Sequence, residues 1–549
     1  MLNCKNCNQP FTIYPEDQEM YDKFAVPAPR RCPRCRLIQR LMFRNARALY
    51  YRKCDRSGET ILSSYNPSQP FPVYKPDIWW SDQWEAMDYA RDYDFGKPFF
   101  AQFKELNDVV PHFSLFVSNG TVVNCDFTNC IGFSKNCYLT FETDYAEDSY
   151  YSNLLKRSKD MVDCSICYDD EFCYQCVDCQ ASYGLRYCQN CTGCRDSYFL
   201  FDCKSCNDCI GCINQRYQKF MIFNEQYSEA EYNQKKAALR LDTRSGVAAL
   251  ASQCQQFFGK HPHKNLQFEK NVNSVGNYLY NSKNAFQCFD CSDLEDCRYC
   301  AKLSIGVKSC MDYNSWGDRA ELVYSCSDVG GGVYNLKFCW AIDTKTSDCE
   351  YCTQCIACKD CFGCSGLQKK QYCILNKQYS EKEYFALKEK IIAKMTADGE
   401  YGEFFPAELC PFAYNETIVM DYFPLTKDEA LKAGYRWYDR EKSKQPAETE
   451  APDAIGEVAD AIIGKVLACR DCQSNYKIIK QELDFCRRAS APIPSQCPDC
   501  RHFGRMNKRM PLSLITVKCD KCGNDMTTGY TAGAVQKVYC EECYQKEIY

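Results

Sequence analysis

From Cys164 to Cys212 the apolar and polar positions follow a period of three: every cysteine lies a multiple of three from the first, with serine, leucine or aspartate in the other places of that register. A larger repeat of 15 lies over it. CSICYDDEFCYQCVD (164–178), CQASYGLRYCQNCTG (179–193) and CRDSYFLFDCKSCND (194–208) share the template C-x2-[CS]-Y-x4-C-x2-C-x2. Segments 134–148 and 149–163 keep the register through Cys137, Tyr138, Ser149 and Ser152. A short fixed period rich in β-compatible aromatics and poor in helical pattern predicts stacked coils, a β-solenoid. Fifteen residues at about 3.3 Å each give a perimeter of about 50 Å, or three sides of roughly five residues. Small residues at template positions one, four, ten and thirteen then form inward ladders, and Tyr168, Tyr183 and Tyr198 form another.

A second cluster repeats the first. DCIGC…N-E-Q-Y-S-E-A-E-Y at 208–232 returns as DCFGC…N-K-Q-Y-S-E-K-E-Y at 360–384, an offset of 152. Each copy ends in a capping box, Ser228 with Glu231 and Ser380 with Glu383, which predicts a helix start. Tyr384, Leu387 and Ile391 give the second helix an apolar stripe suited to closing the end of a solenoid. Uneven spacing around Cys310, Cys326 and Cys339 predicts bulged coils there.

The composition turns this pattern into a chemical question. Cysteine supplies 45 of 549 residues, histidine only four, and the net charge is −5. No apolar stretch approaches the ~18 residues of a membrane span, and the start MLNCKNCNQP lacks the pattern of a secretory signal. A cytoplasmic protein is therefore expected, in which dense cysteine points to metal ligation more than to disulfides.

Three pairs of C-x2-C knuckles carry that expectation: Cys4 and Cys7 with Cys32 and Cys35, Cys469 and Cys472 with Cys497 and Cys500, and Cys519 and Cys522 with Cys540 and Cys543. Four thiolates brought together this way complete a structural zinc site, so at least three zinc ions are predicted. The first two modules are copies, each ending in C-P-x-C-R and followed by Arg36, Arg40 and Arg44 or by Arg501, Arg505 and Arg509. Spacing of four puts each trio on one helical face. Residues 30–56 hold ten Arg or Lys against one acid, Asp55. Such segregated charge, with Arg47 and the nearby Tyr50 and Tyr51, is the footprint expected for RNA or DNA phosphates; a protein partner and a plain solvated face are the alternatives.

The last module, VKCDKCGND…VYCEECYQ, resembles the small bacterial zinc-ribbon family in which C-x2-C-G is followed by V-Y-C-x2-C-[YF]. The resemblance covers Val517 to Tyr544 and implies a zinc ribbon ligated by Cys519, Cys522, Cys540 and Cys543, with no particular activity. In layout the whole chain is similar to uncharacterised bacterial multi-zinc-ribbon proteins, from which no activity carries over.

For the ladder thiols three readings stand: partial metal binding, packed free thiols, or disulfides, since coils about 4.8 Å apart suit each. The metal reading involves Cys164, Cys167, Cys173, Cys176, Cys179, Cys188, Cys191, Cys194, Cys203, Cys206, Cys209 and Cys212 in the first cluster. In the second it involves Cys349, Cys352, Cys355, Cys358, Cys361 and Cys364. Catalytic patterns are missing: there is no phosphate loop, dinucleotide fingerprint, H-E-x2-H or nucleophile elbow. His261 and His263 read as exposed loop residues, and no catalytic or cofactor-binding residue is assigned.

The expected class is mainly β, with zinc-ribbon or treble-clef modules at both ends flanking two cysteine-rich solenoids of about 15-residue coils, each closed by a helix. The expected order is a zinc module with basic helix (1–50), an aromatic packing region (51–118), solenoid one with its helix (119–245) and a connector (246–270). Solenoid two with its helix (271–397), an α/β connector (398–440), a flexible linker (441–460), the second zinc module (461–512) and the zinc ribbon (513–549) follow. Within 51–118, Trp79, Trp80, Trp84, Phe99, Phe100 and Phe103 read as a core that packs the N-terminal module onto a solenoid; 421–440 reads as a strand and a helix begun by Thr426 and Glu429. The function expected is non-catalytic nucleic-acid binding without membrane contact; a zinc-stabilised protein-interaction scaffold, or a metal store or thiol redox buffer, are the alternatives.

Overall fold

The computed structural model describes residues 1–118, 120–440, 443, 445–531 and 533–548. It is strand-rich, and its chain divides into two compact units: Met1–Leu115 with Leu266–Tyr438 and Leu512–Ile515, and Phe116–Asn265 with Asp439–Pro511 and Thr516–Tyr549. Each unit therefore joins a knuckle module to the cysteine cluster that is not its neighbour in sequence.

In the second unit the chain returns alongside itself every twelve residues. Asn153 pairs with Ser165 and Ser165 with Val177, all in parallel register, and the bridges continue from Val177 to Gln189, Phe201 and Ile213. Every third residue takes left-handed backbone: φ is 54° at Asp163, 57° at Ile166, 59° at Asp169 and 55° at Phe172. Each such residue makes a corner, so one turn has four sides of three residues. This corrects the expected 15-residue coil with three longer sides. The cysteines keep their register under either count because 12 and 15 are both multiples of three, so the sequence repeat and the stacking period need not agree. The tyrosine ladder falls with the same correction, since Tyr168, Tyr183 and Tyr198 lie over Gln180, Arg195 and Ile210.

A non-glycine residue in this conformation costs of order 1 kcal/mol. Asp and Asn, which tolerate it best, recur at the corners, as at Asp163, Asp169, Asp178, Asn190 and Asp202. The corner N–H groups are not wasted: that of Asp169 donates to Lys156 O (2.9 Å) and that of Asn190 to Val177 O (3.1 Å), binding each turn to the one before. The first residue of each triplet points inward, where Cys164, Cys176, Cys188, Leu200 and Cys212 form one buried column.

The ladder ends in strands Asn207–Ile210 and Lys219–Ile222, and then helix Glu229–Ala238 starts at the capping box. Ser228 Oγ accepts from Glu231 N–H (3.3 Å) and Glu231 Oε2 from Ser228 N–H (3.0 Å). Tyr232 of this helix is buried with Ile210 and Ile222. What was expected as a connector contains a second helix, Arg244–Phe258, with Leu250 and Cys254 in the same cluster. Of the expected flexible linker, residues 441, 442 and 444 lie outside the described residues. Its later part is pinned instead of free: Ile455 N–H donates to Asp242 O (3.0 Å), and Ile455 and Val458 are buried beside Cys469, Ile478 and Leu483.

The first unit repeats the plan. Gly276 pairs with Cys288 and Phe289 with Ala301 at a period of twelve, after which Ala301, Asn314, Ser327 and Trp340 follow at thirteen. These are the bulged turns around Cys310, Cys326 and Cys339, and the period is twelve again from Ser347 to Lys359. Strands Lys359–Phe362 and Gln371–Ile374 and helix Glu381–Ala397 then match the end of the other ladder at the offset of 152. Tyr384 and Ile391 are buried, and Leu387 half-buried.

The aromatic region packs against this ladder, with Trp80, Trp84 and Phe100 half-buried. Trp79 is buried and its Nε1–H donates to Pro111 O (2.9 Å), while Phe99 meets Tyr351 and Phe362 of the ladder at 5.2 and 5.4 Å. The strand expected near residue 421 is a short helix, Val419–Tyr422, and Thr426 starts helix Lys427–Lys432.

Candidate metal centres

Each C-x2-C turn holds its thiols by its own backbone. Cys4 N–H donates to Gln9 O (2.9 Å) and Asn8 N–H to Cys4 O (2.9 Å), closing a loop that leaves Cys4 and Cys7 facing one point. The second pair arrives at a helix start: helix Pro33–Leu41 follows Cys32, with proline at the first position, where its missing N–H costs nothing. Helix Pro498–Met506 follows Cys497 in the same way.

The three predicted sets assemble. Cys4, Cys7, Cys32 and Cys35, then Cys469, Cys472, Cys497 and Cys500, then Cys519, Cys522, Cys540 and Cys543 each bring four sulfurs within 4.8 Å of one another. A tetrahedral ion with bonds of about 2.3 Å requires sulfurs about 3.8 Å apart. The structure has 3.8 Å between Cys7 and Cys32, 3.6 Å between Cys472 and Cys497, and 4.0 Å between Cys522 and Cys540. In each set the neighbours favour one thiol as thiolate, while burial and the partner thiols push Cys500 and Cys543 up, and the Cys32 thiol and burial push Cys35 up. A hydrogen bond from the Cys35 thiol, with further bonds from the knuckle, pushes Cys32 down to about 5. At Cys472 and at Cys519 burial opposes ionisation, but bonds from Ser474 in one case and from the Cys522 and Cys540 N–H groups in the other bring the thiol down to about 6.

The ladder cysteines have another setting. Among the described residues, the three end sets are the groups of three or more ligands brought this close, and none of the cysteines from Cys164 to Cys212 or Cys349 to Cys364 belongs to one. No disulfide joins them either. Their thiols lie over the carbonyls two residues back, Cys164 on Val162 O (3.4 Å), Cys188 on Arg186 O (3.4 Å) and Cys355 on Thr353 O (3.4 Å). Ser182 Oγ makes the same bond to Gln180 O (2.9 Å). Burial holds Cys164, Cys167, Cys188 and Cys191 well above the ordinary thiol range, whereas bonds from neighbouring thiols outweigh burial at Cys176 and Cys352 and bring them well below it.

The arginine trios are where the structure departs furthest from expectation. Arg36, Arg40, Arg44, Arg501, Arg505 and Arg509 are buried, and Arg47 is half-buried. Arg36 Nε donates to Asp312 Oδ2 (2.5 Å), Arg40 Nε to Asn314 Oδ1 (3.1 Å), and Arg44 pairs with Asp328. In the other unit Arg501 pairs with Asp163, Arg505 NH1 lies 2.8 Å from Asp163 Oδ1, and Arg509 Nε lies 2.8 Å from Asp178 Oδ2. The face predicted by the spacing of four is real, but it is turned onto the ladder corners and not presented to phosphates. An acid completes each joint. Asp17 accepts from the Tyr299 hydroxyl (2.9 Å), and Glu482 lies 2.8 Å from Arg501, where burial raises its carboxyl to about 7. Sequence alone had no signal for these partners, because Asp312 and Asp163 are corner residues among many.

The histidines also differ. His263 is buried in strand His263–Lys264, paired in parallel with Val538–Tyr539, and its Nε2 lies 3.2 Å from Phe258 O. Burial lowers its pKa. It is thus a joint residue, and the exposed-loop expectation fails for it; His261 is half-buried.

No protein-family model matches the chain, and no curated protein matches it. One solved structure, described as an acetyltransferase from Desulfovibrio desulfuricans G20, is 11% identical over 57% of this chain and 88% of its own. Its TM-score of 0.10 carries no argument about fold or activity.

Proposed function

We propose that the protein is a zinc-stabilised, non-catalytic scaffold for protein partners, with zinc at the three end sets and the stacked turns acting as two β-solenoids. The observation that carries this reading is the internal use of the arginines. Of the ten cations in residues 30–56, Arg36 and Arg40 meet Asp312 and Arg44 meets Asp328, so three of the four arginines expected to read phosphates in that segment are engaged inside the protein. On the ladders, two rows of charged residues alternate in sign. Lys135, Glu147, Lys159 and Glu171 stack one above another along one ladder, and Lys283, Glu295, Lys308 and Glu321 along the other. Solenoids present such rows as extended binding faces, and alternating sign favours specificity over raw attraction.

Binding of short RNA and DNA probes at about 50 and 200 mM salt, beside capture of proteins by the native chain and by a K135E/K159E variant, tests this reading. The expected result is weak nucleic-acid binding and a set of captured proteins that the variant loses. Tight nucleic-acid binding that falls by orders of magnitude with salt would overturn it.

A further inference from the structure

The C-terminal ribbon has a counterpart that the cysteine pattern conceals. Residues 50–63 read YYRKCDRSGETILS and residues 515–528 read ITVKCDKCGNDMTT, an offset of 465, which also relates the two knuckle modules. The backbones agree bond for bond. Cys519 N–H donates to Asn524 O (2.9 Å) and Gly523 N–H to Cys519 O (2.9 Å), while Cys54 N–H donates to Glu59 O (2.8 Å) and Gly58 N–H to Cys54 O (2.8 Å). Gly523 and Gly58 share a left-handed φ of 75° and 73°. Val538 N–H donates to Asp520 Oδ2 (2.6 Å), and Val73 N–H to Asp55 Oδ2 (2.7 Å).

The two ribbons also join their ladders alike. Strand Val538–Tyr539 pairs in parallel with His263–Lys264, and strand Val73–Tyr74 in parallel with His112–Phe113. His263 N–H donates to Lys537 O (2.9 Å) and His112 N–H to Pro72 O (2.9 Å). Each histidine sets its Nε2 against the carbonyl five residues earlier, Phe258 at 3.2 Å and Asn107 at 3.1 Å.

The ligands do not agree. Where the C-terminal ribbon has Cys519, Cys522, Cys540 and Cys543, the first has Cys54, Ser57, Lys75 and Ile78. The Lys75 ammonium is held by Glu59 (2.9 Å) and Asp77 (3.3 Å), and Ile78 is buried beside Trp79. The backbone N–H of Lys75 reaches the Cys54 thiol as that of Cys540 reaches Cys519 Sγ at 3.3 Å.

We infer that residues 50–79 are a metal ribbon that has exchanged its ion for an apolar and ionic plug, and that the corresponding joint of the second unit is the metal-responsive one. The same strand junction is thus independent of metal in the first unit and dependent on it in the second. Of the three cysteine sets this one is the most open to solvent, since Cys522 is exposed and Cys540 and Cys543 are half-buried, so its ion is the most exchangeable. This inference rests on the zinc reading of the three sets, and metal content tests that reading separately.

Elemental analysis of the native chain is expected to give three metal ions per chain, and a folded S57C/K75C/I78C variant to give one more than native. A C522S/C543S variant should lose one ion and show amide exchange at 263–265 and 538–544 raised by about tenfold or more. An S57A variant should keep the native count, with exchange at 73–79 and 112–114 unchanged. A native count of zero sinks the zinc reading, whereas the extra ion of the triple variant still tests the copy. A folded triple variant without an extra ion, an S57A variant that loses one, or a C522S/C543S variant with native exchange overturns the inference. Should the triple variant not fold, the two exchange comparisons decide it.

Discussion

Asp163 is the carboxylate on which the second module depends most. It pairs with Arg501 and lies 2.8 Å from Arg505, and all three side chains are at most 3% exposed. Asp163→Asn keeps shape and volume but removes the charge that faces both guanidinium groups; Arg505 keeps its hydrogen bonds to Ser165 Oγ and Tyr151 O, and Arg501 keeps Glu482 at 2.8 Å. Breaking a buried pair by removing one partner costs about 3–5 kcal/mol. The readout suited to a chain of two units is the local opening free energy of helix Pro498–Met506 from amide exchange. Asp160→Asn is the internal control: Asp160 meets Arg488, which is 52% exposed, and such a pair is worth about 0–1 kcal/mol. Asp312→Asn should loosen helix Pro33–Leu41 in the first unit to a similar degree, because Arg36 and Arg40 meet there on the same kind of corner. A change under about 1 kcal/mol for Asp163→Asn would refute the argument that burial makes these arginines structural.

Three further outcomes are expected. Glu482 is raised to about 7 in the folded chain, so the native state holds its proton where the unfolded chain has lost it; stability should fall from the ordinary carboxylate range up to about pH 7 and level off above it, and Glu482→Gln should flatten that slope in pH-dependent urea unfolding. Cys191→Ser should cost about 1 kcal/mol or less in urea unfolding, since serine already makes the same carbonyl bond at Ser182, whereas Cys191→Phe should cost more, about 1–3 kcal/mol, by overpacking. With metal chelated and the chain folded, a thiol reagent should label the exposed or half-buried end-set cysteines Cys7, Cys472, Cys500, Cys522, Cys540 and Cys543 within minutes and leave the buried ladder thiols to react at the rate of unfolding.

The end sets were legible because a C-x2-C turn is a local device: two residues fix the geometry of each half-site, and the halves complete themselves. The capping boxes at Ser228, Ser380 and Thr426 were legible for the same reason. The number of triplets in a turn was not, because Cys164 stacks on Cys176 only if every corner is left-handed, and the pattern of inward residues is silent about corners. Nor were the partners of the arginines, since the spacing of Arg36, Arg40 and Arg44 defines a face and not what covers it. The first ribbon is concealed because three of its four ligand positions are not cysteine; what remains in common is K-C-D-x-x-G at 53–58 and 518–523 and V-Y at 73–74 and 538–539.

The pairing of each module with the ladder distant from it in sequence has a consequence in time. Arg36 meets Asp312 across 276 residues, which at roughly 5–20 residues per second of synthesis is about 14–55 s. Asp163 waits across 338 residues for Arg501, about 17–68 s. Until then the basic helix of the first module carries its charge unpaired, while the first ladder is complete and its acidic corners are bare. The nascent chain is therefore the form of this molecule in which its arginines are open to polyanions. Folding closes that window, and a chain arrested or truncated before residue 312 would keep it open.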